Sequence, residues 1–293
     1  MSAAAKAPTH RTTVRDYLEL VKFSHTIFAL PFALAAMFIA AKGFPNWQIF
    51  GWIMLAMVAA RTAAMGFNRI VDRKIDALNP RTKNREIPAG KVSVQQAIGL
   101  VSISGALFVF AAGMLGDLTF WLSMPTLLVL FFYSLCKRFT SLAHLVLGFC
   151  LGIAPVGAWL AVTQQFALTP IVLAAAVTLW VTGFDVIYAT LDDEFDRKAG
   201  IHSMVQKFGI PGALKLAKLL HLGFILLLAC FGFLAGLGML FYVALALIAG
   251  FLVYEHSIVS PDDLGRVNAA FFTVNGAISA FFLCVIVAEV FWF

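Results

Sequence analysis

Asn68-Arg69-Ile70-Val71-Asp72-Arg73-Lys74-Ile75-Asp76 follows without a break on an apolar run that begins near Gln48. That run is long enough to cross a bilayer as a helix. In the quoted stretch Asn68, Asp72 and Asp76 recur every fourth residue, which sets them in one line on a helix. Arg61, two turns earlier and inside the apolar run, joins the same face; the four span roughly 80° at about 100° per residue. The stretch reads as a membrane helix that continues past its apolar part and carries a polar stripe on one side.

The remainder of the chain agrees. Of 293 residues, 61% are hydrophobic and 12% charged, with a mean hydropathy of +0.92; a water-soluble domain is about 25% charged. We read an all-α polytopic membrane protein, a single domain over 1–293, with nine transmembrane helices near 23–41, 48–68, 94–114, 119–136, 143–162, 170–190, 213–234, 237–255 and 268–291. Residues 1–22 form an N-terminal cytoplasmic or interfacial segment, in which Arg11 to Lys22 mixes charge with Val14, Tyr17, Leu18 and Leu20 as a surface helix does. Two polar loops, 69–93 and 191–212, are expected as helical caps on the cytoplasmic side. Ser93 and Gln96 have the spacing of a capping box for the third span.

Orientation follows from the basic residues. With nine spans, Lys6, Arg11, Arg15 and Lys22, the cluster from Arg69 to Lys91, Lys137 and Arg138, Arg197 to Lys218, and Arg266 all fall on one side, and only Lys42 on the other. Such asymmetry marks the cytoplasmic face, and net basic loops suit a bacterial inner membrane. The formal charge of +6 therefore reports topology and not nucleic-acid binding. The four cysteines are scattered with no CxxC pair, which argues against a disulfide framework or a zinc site.

A second acidic stretch answers the first. Asp192-Asp193-Glu194-Phe195-Asp196 follows another apolar run, and Asp185, Tyr188, Asp192 and Asp196 fall on one helical face. Asp185 lies within the apolar run, where an acid is a functional candidate by default. Carboxylates four residues apart on a helix can share a hard cation such as Mg²⁺, and two such sets facing each other can hold a metal-bridged diphosphate. Blander readings stand beside this one. Asp72 and Asp76 could pair with Arg69 and Arg73 at the membrane edge; Arg61 could snorkel or pair with Asp185; and Asp192 to Asp196 could be a solvated acidic loop. A cation-coupled transporter would also carry an intramembrane Arg61 and Asp185. Against it, the acids gather at the cytoplasmic edge and both polar loops lie on the same side.

At these residues the chain resembles the UbiA-type intramembrane prenyltransferases. Asn68, Asp72 and Asp76 match that superfamily's N-x-x-x-D-x-x-x-D motif. Tyr188, Ala189, Asp192, Asp196, Gly200 and Ser203 match its second motif, Y-A-x-x-D-x-x-x-D-x-x-x-G-x-x-S, position by position. Asn84 to Lys91 resembles the N-R-P-hydrophobic-P-x-G segment, with Glu86 where proline is common, and Tyr133 to Thr140 resembles Y-P-x-x-K-R-x-T, with Ser134 in place of proline. Within the superfamily the chain is most similar to the 4-hydroxybenzoate polyprenyltransferases. The segment His25 to Phe32 is shared with a subgroup associated with a naphthoate acceptor in menaquinone biosynthesis.

The resemblance implies helices around a central cavity, Mg²⁺ as cofactor, and transfer of a polyprenyl group from its diphosphate to an aromatic acid. The expected metal ligands are Asn68, Asp72, Asp76, Asp192 and Asp196. Asn68, Arg81, Lys83, Lys137, Arg138 and Lys198 are expected at the substrates. Asp185 and Tyr188 are expected to orient the acceptor, with Asp185 helping to take its proton. Arg138 is the first candidate for the acceptor carboxylate and Arg61 the second.

Overall fold

The structure is a computed structural model; it describes residues 12–22 and 28–293. Every regular element of more than three residues among them is helical. A short helix, α1 (Val14–Leu20), opens on a capping box between Thr13 and Asp16. Then come α2 (Leu30–Ala41), α3 (Trp47–Leu78), α4 (Val94–Leu115), α5 (Asp117–Cys136), α6 (Ala143–Thr163), α7 (Leu168–Ala189), α8 (Asp193–Ala199), α9 (Met204–Leu234) and α10 (Met239–Ser257). The chain closes with α11 (Val267–Ala269), a π-turn over Ala270–Val274, and α12 (Asn275–Trp292).

Among the described residues, eight helices are long and apolar enough to cross a bilayer. The first expected span, 23–41, is helical over Leu30–Ala41, about 18 Å at 1.5 Å per residue. Residues 23–27, which include His25, lie outside the described residues, as do Lys6 and Arg11. The second span does not stop at 68. It runs unbroken to Leu78, because nothing before Asn79-Pro80 interrupts it, and so presents the whole stripe from Arg61 to Asp76 on one rigid helix. Span 7, expected from 213, begins at Met204 and bends at Gly209, whose φ of 67° is open to glycine and sits two residues before Pro211. The expected capping box of Ser93 and Gln96 starts α4.

The helices pack as neighbours in sequence, α3 on α4, α6 on α7 and α7 on α9 most extensively, while α2 sits between α6 and α12. The α6–α7 contact has a sequence cause. Gly148 and Gly152 lie one turn apart on α6; a Cβ at Gly148 would run into the Thr178 carbonyl and the Thr182 hydroxyl of α7, and one at Gly152 into the Thr178 hydroxyl and the Ala174 carbonyl. Small residues at this spacing let membrane helices approach closely. A buried aromatic and aliphatic core between α2, α7, α9, α10 and α12 is centred on Trp180, Phe32, Phe224 and Phe282. The N-terminal helix is tied to the bundle by two arginines of α3, Arg69 buried and Arg61 partly so. Arg69 Nε donates to the Leu20 carbonyl at 3.2 Å and Arg61 Nη2 to the Lys22 carbonyl at 3.0 Å. Both carbonyls lie at the C-terminal end of α1, where orphan acceptors accumulate.

Candidate active site

The polar stripe of α3 and the end of α7 face one another across a cavity of about 440 Å³, which also receives Asn79, Arg81 and Arg85 from the loop after α3 and Lys137 from the end of α5. Arg61, Met65, Tyr133, Leu147 and Leu151 line this cavity and also a second, apolar chamber of about 220 Å³. The two spaces therefore meet around Arg61 and Tyr133: one end carboxylate-rich, the other lined almost wholly by aliphatic and aromatic side chains.

On the α3 side, Asp72 and Asp76 are buried, at 1% and 3% exposure. Their partners are not the helix neighbours Arg69 and Arg73. Arg69 bonds to Leu20, and Arg73 Nη1 to the Ile70 carbonyl at 2.7 Å. Instead Asp72 accepts from Lys137 Nζ at 2.6 Å, from Arg138 Nη2 at 3.0 Å and from Asn68 Nδ2 at 3.0 Å. Asp76 accepts from Arg85 Nη1 at 2.7 Å, and its other oxygen, Oδ2, is buried with no partner.

The second acidic stretch behaves differently from a continuous helical face. After Ala189 the chain makes a turn of 3₁₀ helix, Thr190–Asp192, before α8 begins. Asp192 and Asp196 line the cavity, whereas the acids between them do not. Asp193 holds Gln206 Nε2 at 2.7 Å and Arg197 at 3.2 Å. Glu194 is exposed and pairs with Lys198 at 2.6 Å. Asp192 is gripped from the other loop: Arg81 Nε donates to its Oδ1 at 2.9 Å, Arg81 Nη2 to its Oδ2, and Asn79 Nδ2 to Oδ1 at 3.0 Å. Arg81 Nη1 also donates to the Tyr188 hydroxyl at 2.8 Å, and Tyr188 stacks on Phe271 with centroids 4.1 Å apart. Burial and the neighbouring Asp192 carboxylate push the Asp196 carboxyl up to about 6; Asp196 lies on α8, beyond the apolar length of α7. An acid so raised is one whose charged form lacks compensation.

These residues fit Mg²⁺. The expected donors are carboxylate oxygens and one amide oxygen, all hard, the buried Asp76 Oδ2 has no partner, and the four carboxylates, two from α3, one from the 3₁₀ turn and one from α8, line one cavity. Among the described residues no three of the acids or histidines converge on a single point; the carboxylates are turned onto Lys137, Arg138, Arg85 and Arg81.

A profile of the UbiA prenyltransferase family matches residues 29–284. The chain belongs to that family. Among UbiA relatives, a 4-hydroxybenzoate octaprenyltransferase of Vibrio parahaemolyticus is 31% identical over 82% of this chain and 84% of its own length. The apo structure of a UbiA homolog from Aeropyrum pernix K1 is 33% identical, with a TM-score of 0.82 over 90% of this chain and 98% of that one. A UbiA homolog from Archaeoglobus fulgidus, bound to GPP and Mg²⁺, is 22% identical with a TM-score of 0.75 over 94% of this chain and 99% of its own, a likeness of fold. This UbiA chain is an integral membrane prenyltransferase, and the transporter reading gives way.

Several expected residues do not reach the cavity. Lys83 is exposed on the loop, and Lys198 is turned outward onto Glu194 with its side chain 73% exposed. Arg61 lines the cavity without reaching Asp185, which pairs with His144 at 2.7 Å. Arg138 is committed to Asp72, to the Ser134 carbonyl at 2.8 Å and to the Val71 carbonyl at 3.1 Å. Arg61 keeps a buried Nε with no partner. Residues not expected at the site are Asn79, Arg85, Ser134 and His144. Arg85 was visible as one of four basic residues in the loop after α3, with Arg81, Lys83 and Lys91, and nothing in its spacing singled it out. His144 stands at the head of the stripe His144, Gly148, Gly152, a spacing that marks the face pressed on α7.

Proposed function

We propose that the chain is, over its whole length, a single domain that transfers a polyprenyl group from a polyprenyl diphosphate to an aromatic acid, 4-hydroxybenzoate first, by ring C-prenylation. The observation that carries this reading is the junction of a carboxylate- and arginine-lined cavity with an apolar chamber, which suits a substrate with a diphosphate head and a hydrocarbon tail. The relatives named for 4-hydroxybenzoate support the acceptor. The segment His25 to Phe32 favours dihydroxynaphthoate as the second choice. A bacterial inner membrane with both acidic loops in the cytoplasm follows from the basic loops.

Asn68, Asp72, Asp76, Asp192 and Asp196 are the residues that would hold Mg²⁺, which when bound supplies Lewis-acid stabilisation of the leaving diphosphate. Lys137, Arg138, Arg85 and Arg81 turn from the carboxylates to the diphosphate oxygens and offset the charge that develops there as the allylic C–O bond breaks. The tail lies in the apolar chamber. Phe184, Phe271 and Tyr188 wall the cavity and keep water from the cationic carbon. Arg61, with its free Nε at the junction, pairs with the acceptor carboxylate and orients the ring. The carbon ortho to the hydroxyl attacks, a C–C bond forms, and the ring proton leaves toward Asp185.

The test is transfer by detergent-purified protein given a polyprenyl diphosphate with 4-hydroxybenzoate or with dihydroxynaphthoate, with and without Mg²⁺. The expected result is Mg²⁺-dependent prenylated 4-hydroxybenzoate by mass spectrometry. Product from dihydroxynaphthoate alone reassigns the acceptor. Folded protein that makes neither product overturns the reading.

A further inference from the structure

The acid at the acceptor end of the cavity is not alone. Asp185 Oδ2 and His144 Nδ1 lie 2.7 Å apart, and the two side chains line the cavity from α7 and α6. Their meeting is built into both helices. His144, Gly148 and Gly152 follow one another at four-residue intervals along one face of α6, and Thr178, Thr182 and Asp185, four and then three residues apart, share one face of α7. The absence of a Cβ at Gly148 and Gly152 lets the faces close until the Thr182 hydroxyl lies 3.4 Å from the His144 carbonyl. The side chains one turn further along, His144 and Asp185, are thereby brought into contact.

The pair is left half-satisfied on both sides. His144 is 8% exposed, and its Nε2 is buried without a partner. Asp185 keeps 21% of its side chain exposed, and among the described residues its Oδ1 receives no hydrogen bond. A pair serving only to pack α6 on α7 would be expected to use up its polar groups, since a buried bond left unmade is destabilising. A carboxylate that lines a cavity, with one oxygen against an imidazole nitrogen and the other without a bond, is instead the arrangement of an oriented base.

We propose that His144 is a positioning residue for Asp185, and that Asp185 Oδ1 is the atom that receives the proton lost from the acceptor ring. This deepens, and rests on, the prenyl-transfer reading above. With Asp185 ionised, His144 is the Nδ1–H tautomer and donates to Oδ2, so that one carboxylate oxygen is fixed and the other faces the acceptor. The step balances. The allylic C–O bond breaks and its electron pair leaves with diphosphate. The ring carbon forms the C–C bond, and the proton on that carbon passes to Oδ1, whence it returns to water. His144 keeps its Nδ1 proton throughout.

The experiment compares wild type, Asp185→Asn, His144→Ala and His144→Asn, using geranyl diphosphate, Mg²⁺ and 4-hydroxybenzoate, either protonated or deuterated at the ring carbons ortho to the hydroxyl. Asp185→Asn is expected to lower kcat by about 10²-fold or more. His144→Ala should lower it roughly 10- to 100-fold through misplacement of the base, with KM for geranyl diphosphate unchanged. In both, the deuterated acceptor should react measurably more slowly than the protonated one, because proton removal has become the slow step. His144→Asn, whose amide can donate from near the Nδ1 position, should recover part of the loss. The proposal is overturned if His144→Ala keeps wild-type kcat, or if it loses activity with no isotope effect and no recovery in His144→Asn, the pattern of a packing role. Failure of the wild type to prenylate any aromatic acid is a different result and would strike the transfer reading itself.

Discussion

The two acidic sets carry similar letters and are built in opposite ways. Asp72 and Asp76 stand on an uninterrupted 32-residue helix, and both are buried. Asp192 and Asp196 stand beyond a helix break, on a 3₁₀ turn and a seven-residue helix, and Asp192 is held by a loop that arrives from the other half of the site. The first set is a buried wall whose cationic partners come from the end of α5 and the loop after α3. The second lies past the break and is held by Arg81 and Asn79. The difference teaches that one cavity can be lined by an unbroken helix on one side and a broken one on the other: the first fixes its acids by burial, the second by contacts from a distant loop.

Removing one acid from each half should hurt catalysis alike and stability unlike. Asp72→Asn and Asp192→Asn are each expected to lower Mg²⁺-dependent transfer by at least about 10³-fold, since each removes a carboxylate from the developing charge network. Asp72→Asn should also destabilise the protein by on the order of 2 kcal/mol, because it strips a buried acceptor from Lys137 and Arg138. Asp192→Asn should leave the melting temperature in detergent nearly unchanged. Equal thermal shifts in the two variants would break the distinction between the buried and the loop-held acid.

Arg81→Ala tests the grip. It removes the bonds to Asp192 and to Tyr188 together, and should lower kcat/KM for the prenyl diphosphate by roughly 10²-fold. If the loss falls on the aromatic acceptor's KM instead, Arg81 belongs to the acceptor end. Smaller still is Arg61→Ala, expected to raise KM for the acceptor about tenfold, the size of one charge-assisted hydrogen bond, with the diphosphate KM unmoved. Saturation curves for both substrates decide it, and an equal rise in both would remove Arg61 from the acceptor carboxylate.

The least effect is expected where like charges lie outside the cavity. Lys83→Ala and Lys198→Ala should each stay within about twofold of wild-type turnover, since an exposed cation near an active site acts only through a screened field. A tenfold loss in either would mean that the loops rearrange enough on substrate binding to bring these side chains inward.

What the sequence determined by itself is the part governed by short-range periodicity. Apolar runs of bilayer length made the membrane helices legible. Residues four apart made the stripe Arg61, Asn68, Asp72, Asp76 legible as one face, and that face does line the cavity. The resemblance at Asn68–Asp76 and Tyr188–Ser203 pointed to the family that the comparisons then gave. Local chain chemistry also announced the cap at Ser93. What only the tertiary structure decided is which charge meets which. Asp72 lies three and one residues from Arg69 and Arg73 in sequence, yet its partners are Lys137 and Arg138, more than sixty residues away. Arg69 is spent instead on a carbonyl of α1. Lys83, Arg81 and Arg85 are equivalent as letters in one basic loop, and only the turn after Asn79 aims two of them inward. The physical reason is range. Helical phase is set within a few residues by backbone geometry, whereas ion pairing follows how the helices pack and is paid for by desolvation, and in this chain that packing depends on where Gly148 and Gly152 let α6 and α7 close.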